Sequence, residues 1–204
     1  MPDRRSFTEI RIAALKRYFM WYIMSSSLDL VCVTEYPKCG ASWLCQILSK
    51  YYDIPFPRNK SPKFEKCIMH GHLLPRTNVN NQVCFVRDGR DVVISFYHHL
   101  LFGNNKMSIH SVKKYRKKMP FADYDDIFGN LPQFMHYLFE PNPVYPRFSW
   151  ARFVDSMLNG NYFFVKYEDM LLDATGTSAA VIRHISGEPV DCLLYTSPSP
   201  RDRG

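Results

Sequence analysis

The stretch VCVTEYPKCGASWL, residues 31–44, constrains the fold more than any other part of this chain. An almost unbroken apolar run at 28–36 leads into the tetrapeptide PKCG, and apolar residues then recur at helical spacing over 42–53. A continuous apolar run is typical of a parallel strand that is buried on both faces. The sequence therefore predicts a buried strand, a short turn that carries a lysine and a glycine, and a helix.

The same alternation of strand and helix continues along the chain. Strands are predicted at 81–88 and 161–167, and helices within 1–27, at 89–103, within the aromatic-rich stretch 121–159, and up to about residue 186. Residues 54–80 are rich in Pro, Lys and Asn and are predicted to be irregular. This order indicates an α/β fold with a parallel β-sheet flanked by helices. We divide the chain into a helical segment 1–27, a main domain 28–190 and a tail 191–204.

Composition narrows the class of protein. A chain of 204 residues with 46% hydrophobic residues forms one globular domain, and its net charge of +7 favours an anionic ligand. No Cys-x-x-Cys pair occurs, which indicates reduced, buried thiols and a cytoplasmic protein. The apolar run 18–24 is too short to cross a bilayer, and the start of the chain lacks the layout of a signal peptide. The cysteines are Cys32, Cys39, Cys45, Cys67, Cys84 and Cys192.

The turn between the first strand and its helix has the chemistry of an oxyanion site. Backbone N–H groups and the positive end of the helix dipole meet there, and Gly40 allows a close approach of the ligand. Lys38 adds a full positive charge. The pattern differs from the common nucleotide loop, because the lysine precedes the glycine and Gly-x-x-x-x-Gly-Lys-Ser/Thr is absent. A surface lysine in an ordinary turn is the alternative interpretation.

A second cationic position follows another predicted strand. Arg87 ends the apolar run at 81–88, and Ser95 lies eight residues later in the following helix. Arginine can bind a phosphate through two parallel hydrogen bonds, and serine adds a hydroxyl donor. Because parallel α/β sheets bind ligands at the carboxyl ends of their strands, we expect Arg87 and Lys38 to face one ligand.

Three segments together resemble the cytosolic sulfotransferases. YPKCGASW at 36–43 is similar to their Tyr-Pro-Lys-Ser-Gly-Thr-Thr-Trp loop, and VRDGRDVVISFYHH at 86–99 is similar to their Arg-Asn-x-x-Asp-x-x-x-Ser-Tyr-Tyr-His segment. NYFFVKYEDML at 161–171 matches their Tyr-Glu-Asp-Met strand end. The resemblance implies the sulfotransferase fold with its P-loop-like turn and 3′-phosphoadenosine 5′-phosphosulfate (PAPS) as the sulfuryl donor. It implies no metal.

The resemblance also assigns residues to the 5′ end of the donor. It implies that Lys38 contacts the phosphosulfate bridge and stabilises charge on the leaving phosphate. It places backbone and hydroxyl contacts to the 5′-phosphate at Gly40, Ala41 and Ser42. Cys39 stands where the family has serine, which a backbone contact tolerates. Ala41 replaces a threonine, and the lost hydroxyl is expected to weaken donor binding by about 1 kcal/mol.

The resemblance assigns four further residues to the adenine and the 3′-phosphate of the donor. By the same resemblance, Trp43 stacks on the adenine, Tyr167 borders it, and Arg87 and Ser95 hold the 3′-phosphate. Asp88 replaces the family's asparagine, and its charge is expected to offset part of the charge of Arg87.

The base that deprotonates the acceptor is expected to be a histidine, since imidazole changes its charge near neutral pH. The family places its catalytic histidine before Leu-Pro, after the next strand of the sheet. The segment IMHGHLLP, residues 68–75, fits this pattern at His72 with one extra leucine, and His70 is the alternative. His98 and His99 are expected to be structural or to line the site.

The remaining segments bear on partners. The basic run KKYRKK at 113–118 is typical of a solvated helix face or loop, and no nucleic-acid motif accompanies it. The aromatic residues of 121–148 are expected to cover a pocket for a small hydrophobic or aromatic acceptor.

A P-loop nucleotide kinase and a non-catalytic nucleotide-binding protein are the alternative functions. We predict no nucleic-acid or membrane partner, and no segment indicates an oligomeric state.

The final segment CLLYTSPSPRDRG, residues 192–204, loses all periodicity. A disordered tail is one interpretation. Residues 193–202 also resemble the translation of a sequencing adapter, and we favour that interpretation. We therefore expect the natural C-terminus to be missing, together with the family's Arg-Lys-Gly-x-x-Gly-Asp-Trp-Lys loop that closes over the donor. Such a chain is expected to bind donor weakly and to turn over slowly or not at all.

Overall fold

The computed structural model describes residues 7–103, 109–139 and 148–187, and these residues form a parallel four-stranded sheet flanked by helices. The strands lie side by side in the order β2-β1-β3-β4. Every neighbouring pair is parallel, which confirms the predicted α/β class. The strands are β1 (Val31–Glu35), β2 (Ile68–Gly71), β3 (Gln82–Val86) and β4 (Phe164–Lys166).

The helices follow the predicted order of elements closely. A helix forms within 1–27, each predicted strand–turn–helix unit is present, and a helical pair ends the described chain. The helices are α1 (Phe7–Tyr22), α2 (Ser42–Tyr51), α3 (Gly89–Leu101), α4 (Ile109–Lys118), α5 (Ile127–Phe139), α6 (Trp150–Asn159), α7 (Tyr167–Leu172) and α8 (Ala174–Ser186).

One strand was not predicted. Residues 54–80 were expected to be irregular, yet Ile68–Gly71 pairs with β1 along its whole length, with Val33 opposite His70. The segment is only four residues long and contains a histidine and a glycine, so it carries little strand periodicity of its own. Its hydrogen bonds to the central strand override that weak local preference. The consequence is functional, because β2 carries the candidate histidines to the edge of the sheet where β1 ends.

The sheet is covered on both faces. On one face a large apolar cluster joins α2, α3 and the later helices, with Leu44, Phe85 and Tyr97 fully buried. On the other face α1 packs against the sheet through Met20 and Trp21. Strands β1 and β3 are buried throughout, as continuous apolar runs predict.

The cysteines and the basic run have the expected settings. Five cysteines are buried and free, which confirms the predicted reduced thiols for that part of the chain, while Cys192 lies outside the described residues. The run at 113–118 lies on α4, with its four lysines exposed. None of the described helices is both long and apolar enough to cross a membrane. The tail 191–204 and residues 140–147 also lie outside the described part.

Candidate functional site

The turn between β1 and α2 is shaped as an oxyanion cradle. Lys38 and Gly40 both adopt positive φ angles, of 76° and 100°. Within the described residues, the N–H groups of Lys38, Gly40 and Ser42 donate to no other group. Unpaired amides on such a turn, next to a helix N-terminus, form a concave site for an anion.

Gly40 is required at its position for two reasons. Its φ of 100° is a conformation that residues with a Cβ rarely adopt. A Cβ at this position would also lie 3.0 Å from two ring carbons of Tyr167. The tyrosine ring therefore lies directly against the backbone of the cradle.

We expect Gly40→Ala to destabilise the fold by about 1–2 kcal/mol and also to weaken nucleotide binding, because the backbone and Tyr167 must both shift. Gly187→Ala is the matched control, since Gly187 has a φ of 73° but no atom within 4 Å of an added Cβ. Thermal unfolding and nucleotide titration of both variants check this. A Gly40→Ala protein with unchanged nucleotide affinity would contradict the close packing of the cradle.

Glu35 is a functional candidate that the sequence analysis missed. It ends β1, is only 4% exposed, and its Oε2 accepts a hydrogen bond of 2.8 Å from the N–H of Ala41. A phosphate contact from the Ala41 amide would require this bond to break, so that contact stays a prediction. The sequence signal for Glu35 was an acidic residue at the end of a mostly apolar run. A carboxylate is costly to bury unless it is paired or hydrogen-bonded, so such a residue indicates a specific partner.

Lys38 is half-buried within a cluster of charges. Burial lowers the pKa of its ammonium group, and the nearby positive charge of Arg87 lowers it further, whereas the carboxylate of Glu35 acts in the opposite direction. The two cations predicted to hold the donor are therefore close enough to repel each other. A bound anion would relieve that repulsion.

Arg87 ends β3 and faces the same region. Its guanidinium lies 4.5 Å from the centre of the Tyr167 ring, and its Nη2 donates a hydrogen bond of 2.9 Å to Asp91 Oδ2. Among the described residues its Nε is buried without a partner. Ser95 lies half-buried on α3, two turns further along. The Nε–H of Arg87 is thus a hydrogen-bond donor that a bound ligand could use.

Asp88 was predicted to offset part of the charge of Arg87. The pKa of Asp88 is lowered mainly by Arg90, and the positive charge of Arg87 does contribute. Asp88 also caps α3, where its Oδ1 accepts from the N–H of Arg90. The Asp88 side chain also pairs with the guanidinium of Arg90, which lowers the pKa of Asp88 to about 2. The carboxylate that pairs with Arg87 belongs to Asp91, one helical turn further on.

The aromatic residues predicted to meet the adenine are buried against each other. Trp43 is 5% exposed and Tyr167 is 6% exposed, and their rings meet edge to face with centroids 6.4 Å apart. An adenine contact would be limited to the ring edges that remain exposed, and it stays a prediction. Tyr167 belongs to the third predicted motif, and its ring also lies against Gly40 of the first motif and Arg87 of the second.

Glu35 also anchors the candidate base. The Nε2–H of His70 donates to Glu35 Oε1 at 2.8 Å, and Nδ1 of His72 lies 3.3 Å from the Glu35 carbonyl oxygen. The two imidazole centroids are 5.1 Å apart. Burial is the main reason that the pKa of His72 falls to about 4, although Glu35 acts to raise it. His72 is therefore neutral at pH 7, and the lowered pKa also makes it a weaker base than an ordinary histidine.

His98 and His99 differ in their surroundings. His98 is exposed beside Phe102, with ring centroids 5.7 Å apart. His99 is half-buried, and its pKa is lowered by burial and by the charge of Lys38. His99 thus faces the cradle from α3, in keeping with a lining role.

A cavity of about 420 Å³ opens beside the histidines, between α1 and the end of β2. Its walls are mostly apolar and include Arg17 and Arg58, which is the composition of a small-molecule pocket. The lining residues from α1 include Ala13, Ala14, Arg17, Tyr18 and Trp21, and those from the β2 side are His70, Gly71, His72 and Leu73.

Comparison with known proteins supports the fold. No protein-family model and no curated protein sequence matches the chain. A solved mouse sulfotransferase, SULT7A1 complexed with PAP, matches at 16% identity and a TM-score of 0.57, over 89% of this chain and 66% of that one. Retinol dehydratase with androsterone and inactive cofactor PAP matches at 19% identity and a TM-score of 0.53, over 88% and 66%. Retinol dehydratase with retinol and PAP matches at 18% and 0.51, over the same shares.

These likenesses show that the chain has the sulfotransferase fold, as the sequence motifs predicted. The chain spans about two thirds of the length of the solved structures that it matches.

Proposed function

We propose that this chain, which has the sulfotransferase fold, moves a sulfuryl group from PAPS to a hydroxyl, or less readily an amine, of a small acceptor. One observation carries the proposal. Two half-buried cations, Lys38 and Arg87, converge with the unpaired amides of the cradle at the carboxyl ends of neighbouring strands. A donor with phosphates at both ends of a nucleoside matches two separate cationic positions.

The proposed roles follow the position of each group. The cradle amides and the Ser42 hydroxyl hold the 5′-phosphate, and Lys38 neutralises charge on the oxygen that leaves the sulfur. Arg87 and Ser95 hold the 3′-phosphate. Sulfuryl transfer is mainly a matter of positioning and charge stabilisation, as phosphoryl transfer is, so these fixed donors supply most of the catalysis.

The proton of the acceptor is assigned to His72. When its Nδ1–H donates to the Glu35 carbonyl oxygen, the lone pair that accepts a proton is on Nε2. The acceptor oxygen forms a bond to sulfur, the bond from sulfur to the bridging oxygen breaks, and the proton passes to Nε2. The adjoining cavity holds the acceptor, although among the described residues it is lined by α1 and the β2 side and not by the aromatic residues of 121–148 that were predicted to cover the acceptor. Its apolar walls favour a hydrophobic or aromatic molecule.

We expect His72→Asn to lower turnover by about a hundredfold or more, since general-base catalysis commonly contributes about 10²–10⁴-fold. His70→Asn is the matched comparison, because His70 lies in the same cluster but is bound directly to the Glu35 carboxylate. A smaller loss in His70→Asn supports His72 as the base, and the reverse order assigns the role to His70. Steady-state rates at saturating donor check this.

Calorimetric titration of the purified chain with 3′-phosphoadenosine 5′-phosphate (PAP) tests the donor site. We expect saturable binding that is clearly tighter than binding of AMP, which lacks the 3′-phosphate. A folded sample with no detectable binding at high PAP concentration would remove the basis of the proposal.

A second candidate function is that of a PAP- or PAPS-binding protein without turnover. The bond from the Ala41 amide to Glu35 favours it, because this bond withdraws one donor from the cradle. Ala41 also lacks the hydroxyl of the threonine found in the family. PAP binding without any sulfated product, across a panel of phenols and alcohols, would establish this alternative.

A nucleotide kinase stays less favoured because the Gly-x-x-x-x-Gly-Lys-Ser/Thr loop is absent.

A further inference from the structure

Glu35, His70 and His72 form a cluster of potential metal ligands at the end of β1 and β2. One nitrogen or oxygen atom from each residue lies within 4.8 Å of the other two. Glu35 Oε1 is 2.8 Å from His70 Nε2 and 3.9 Å from His72 Nδ1. Glu35 and His70 come from the adjacent strands β1 and β2, and His72 directly follows β2, so pairing of the two strands brings the three side chains together.

These distances suit a single ion after small side-chain movements. Imidazole nitrogens and carboxylate oxygens lie about 2.0–2.2 Å from Zn²⁺, so two such ligand atoms are about 3.3–3.6 Å apart in a tetrahedral site. His72 Nδ1 would have to approach Glu35 Oε1 by about 0.5 Å, and the hydrogen-bonded pair His70 Nε2 and Glu35 Oε1 would have to separate by a similar amount. Two imidazoles with one carboxylate are also a ligand set that divalent transition metals prefer over Mg²⁺ or Ca²⁺.

The surroundings of the cluster resemble a metal site in two respects. The second carboxylate oxygen of Glu35 already accepts the Ala41 N–H, an outer hydrogen bond of the kind that orients a ligand. Glu35 is buried, whereas both histidines border the cavity, so the open side of the cluster faces a route for ions and water. One position of a tetrahedral ion would remain for water or another small ligand.

We propose that Glu35, His70 and His72 bind one divalent transition ion of the Zn²⁺ class. The binding itself is independent of the proposed function. A regulatory consequence does rest on that function, because the same histidine is the proposed base.

Occupancy would switch off proton transfer for a chemical reason. An imidazole coordinated through Nδ1 carries its proton on Nε2, so that nitrogen no longer accepts a proton from the acceptor hydroxyl. A neutral imidazole whose one proton lies on the coordinating nitrogen passes it, by exchange with solvent, to the other ring nitrogen when the metal binds, so no net proton is released. The ion would therefore inhibit turnover reversibly and would leave the 3′-phosphate contacts of Arg87 in place.

Titration of the metal-free full chain with Zn²⁺ by calorimetry, and with Co²⁺ by visible absorption, tests the proposal. We expect one ion per chain, with an affinity at least about a hundredfold lower in Glu35→Gln, His70→Asn and His72→Asn. His136→Asn is the matched control, since His136 is exposed on α5. PAP titration of the same samples reports separately on the donor site and shows whether each variant is folded.

Binding that survives in all three variants would overturn the proposal, as would no binding of either ion to a chain that still unfolds cooperatively. Thiolate absorption bands in the Co²⁺ spectrum would also overturn it, because they would place the ion at the cysteines. Intact PAP binding alongside any of these results would leave the proposed donor site standing.

Discussion

Lys38→Ala is expected to lower turnover by about a hundredfold to a thousandfold while the fold stays intact. The side chain is half-buried at the mouth of the cradle, and no core contact depends on it. Its charge is used where the leaving oxygen gains negative charge, so the loss should appear in kcat more than in PAP affinity. Single-turnover rates and PAP titration separate the two effects.

Lys50→Ala is the control for this variant, since Lys50 is exposed in the last turn of α2, the helix that follows the cradle. Lys50→Ala should have the same turnover and the same PAP affinity as the parent chain. Near-parental turnover in Lys38→Ala would exclude a role for this lysine at the leaving group.

Arg87→Ala is expected to weaken PAP by about tenfold to a hundredfold or more, and AMP far less. The removed guanidinium would form charge-assisted hydrogen bonds to the 3′-phosphate, each worth about 1.5–3 kcal/mol. Its buried Nε has no partner among the described residues, so a bound phosphate would gain a donor that now has none. Calorimetric titration of both nucleotides measures the difference directly.

Arg90→Ala controls for the general loss of positive charge, because the Arg90 side chain is 89% exposed and pairs with Asp88. Equal losses of PAP and AMP affinity in Arg87→Ala would mean that Arg87 does not read the 3′-phosphate. A loss of PAP affinity in Arg90→Ala as large as in Arg87→Ala would point to long-range attraction instead of direct contact.

The strand–turn–helix units could be predicted because their signals are local. The continuous apolar runs before Lys38 and Arg87 predicted β1 and β3, and the helical spacing after them predicted α2 and α3. The glycine and the two cations follow from the same short segments. These elements and cations were therefore open to sequence reasoning.

The remaining features depend on contacts between distant parts of the chain. Strand β2 exists because it pairs with β1, and its own four residues show no clear period. The bond from Glu35 to His70 joins positions 35 residues apart. The ion pair between Arg87 and Asp91 was not predicted, because it depends on which face of α3 carries Asp91, four residues along the chain.

The edge strand β4 has only three residues, two of them exposed, yet Tyr167 immediately follows it. Its ring rests on the cradle glycine and beneath the guanidinium of Arg87. Short edge strands open more readily than the centre of a sheet, and any such opening would carry this ring away from both phosphate positions. We therefore expect nucleotide binding and closure of this edge strand to be coupled, so that a bound nucleotide would stabilise the edge and a frayed edge would lower the affinity.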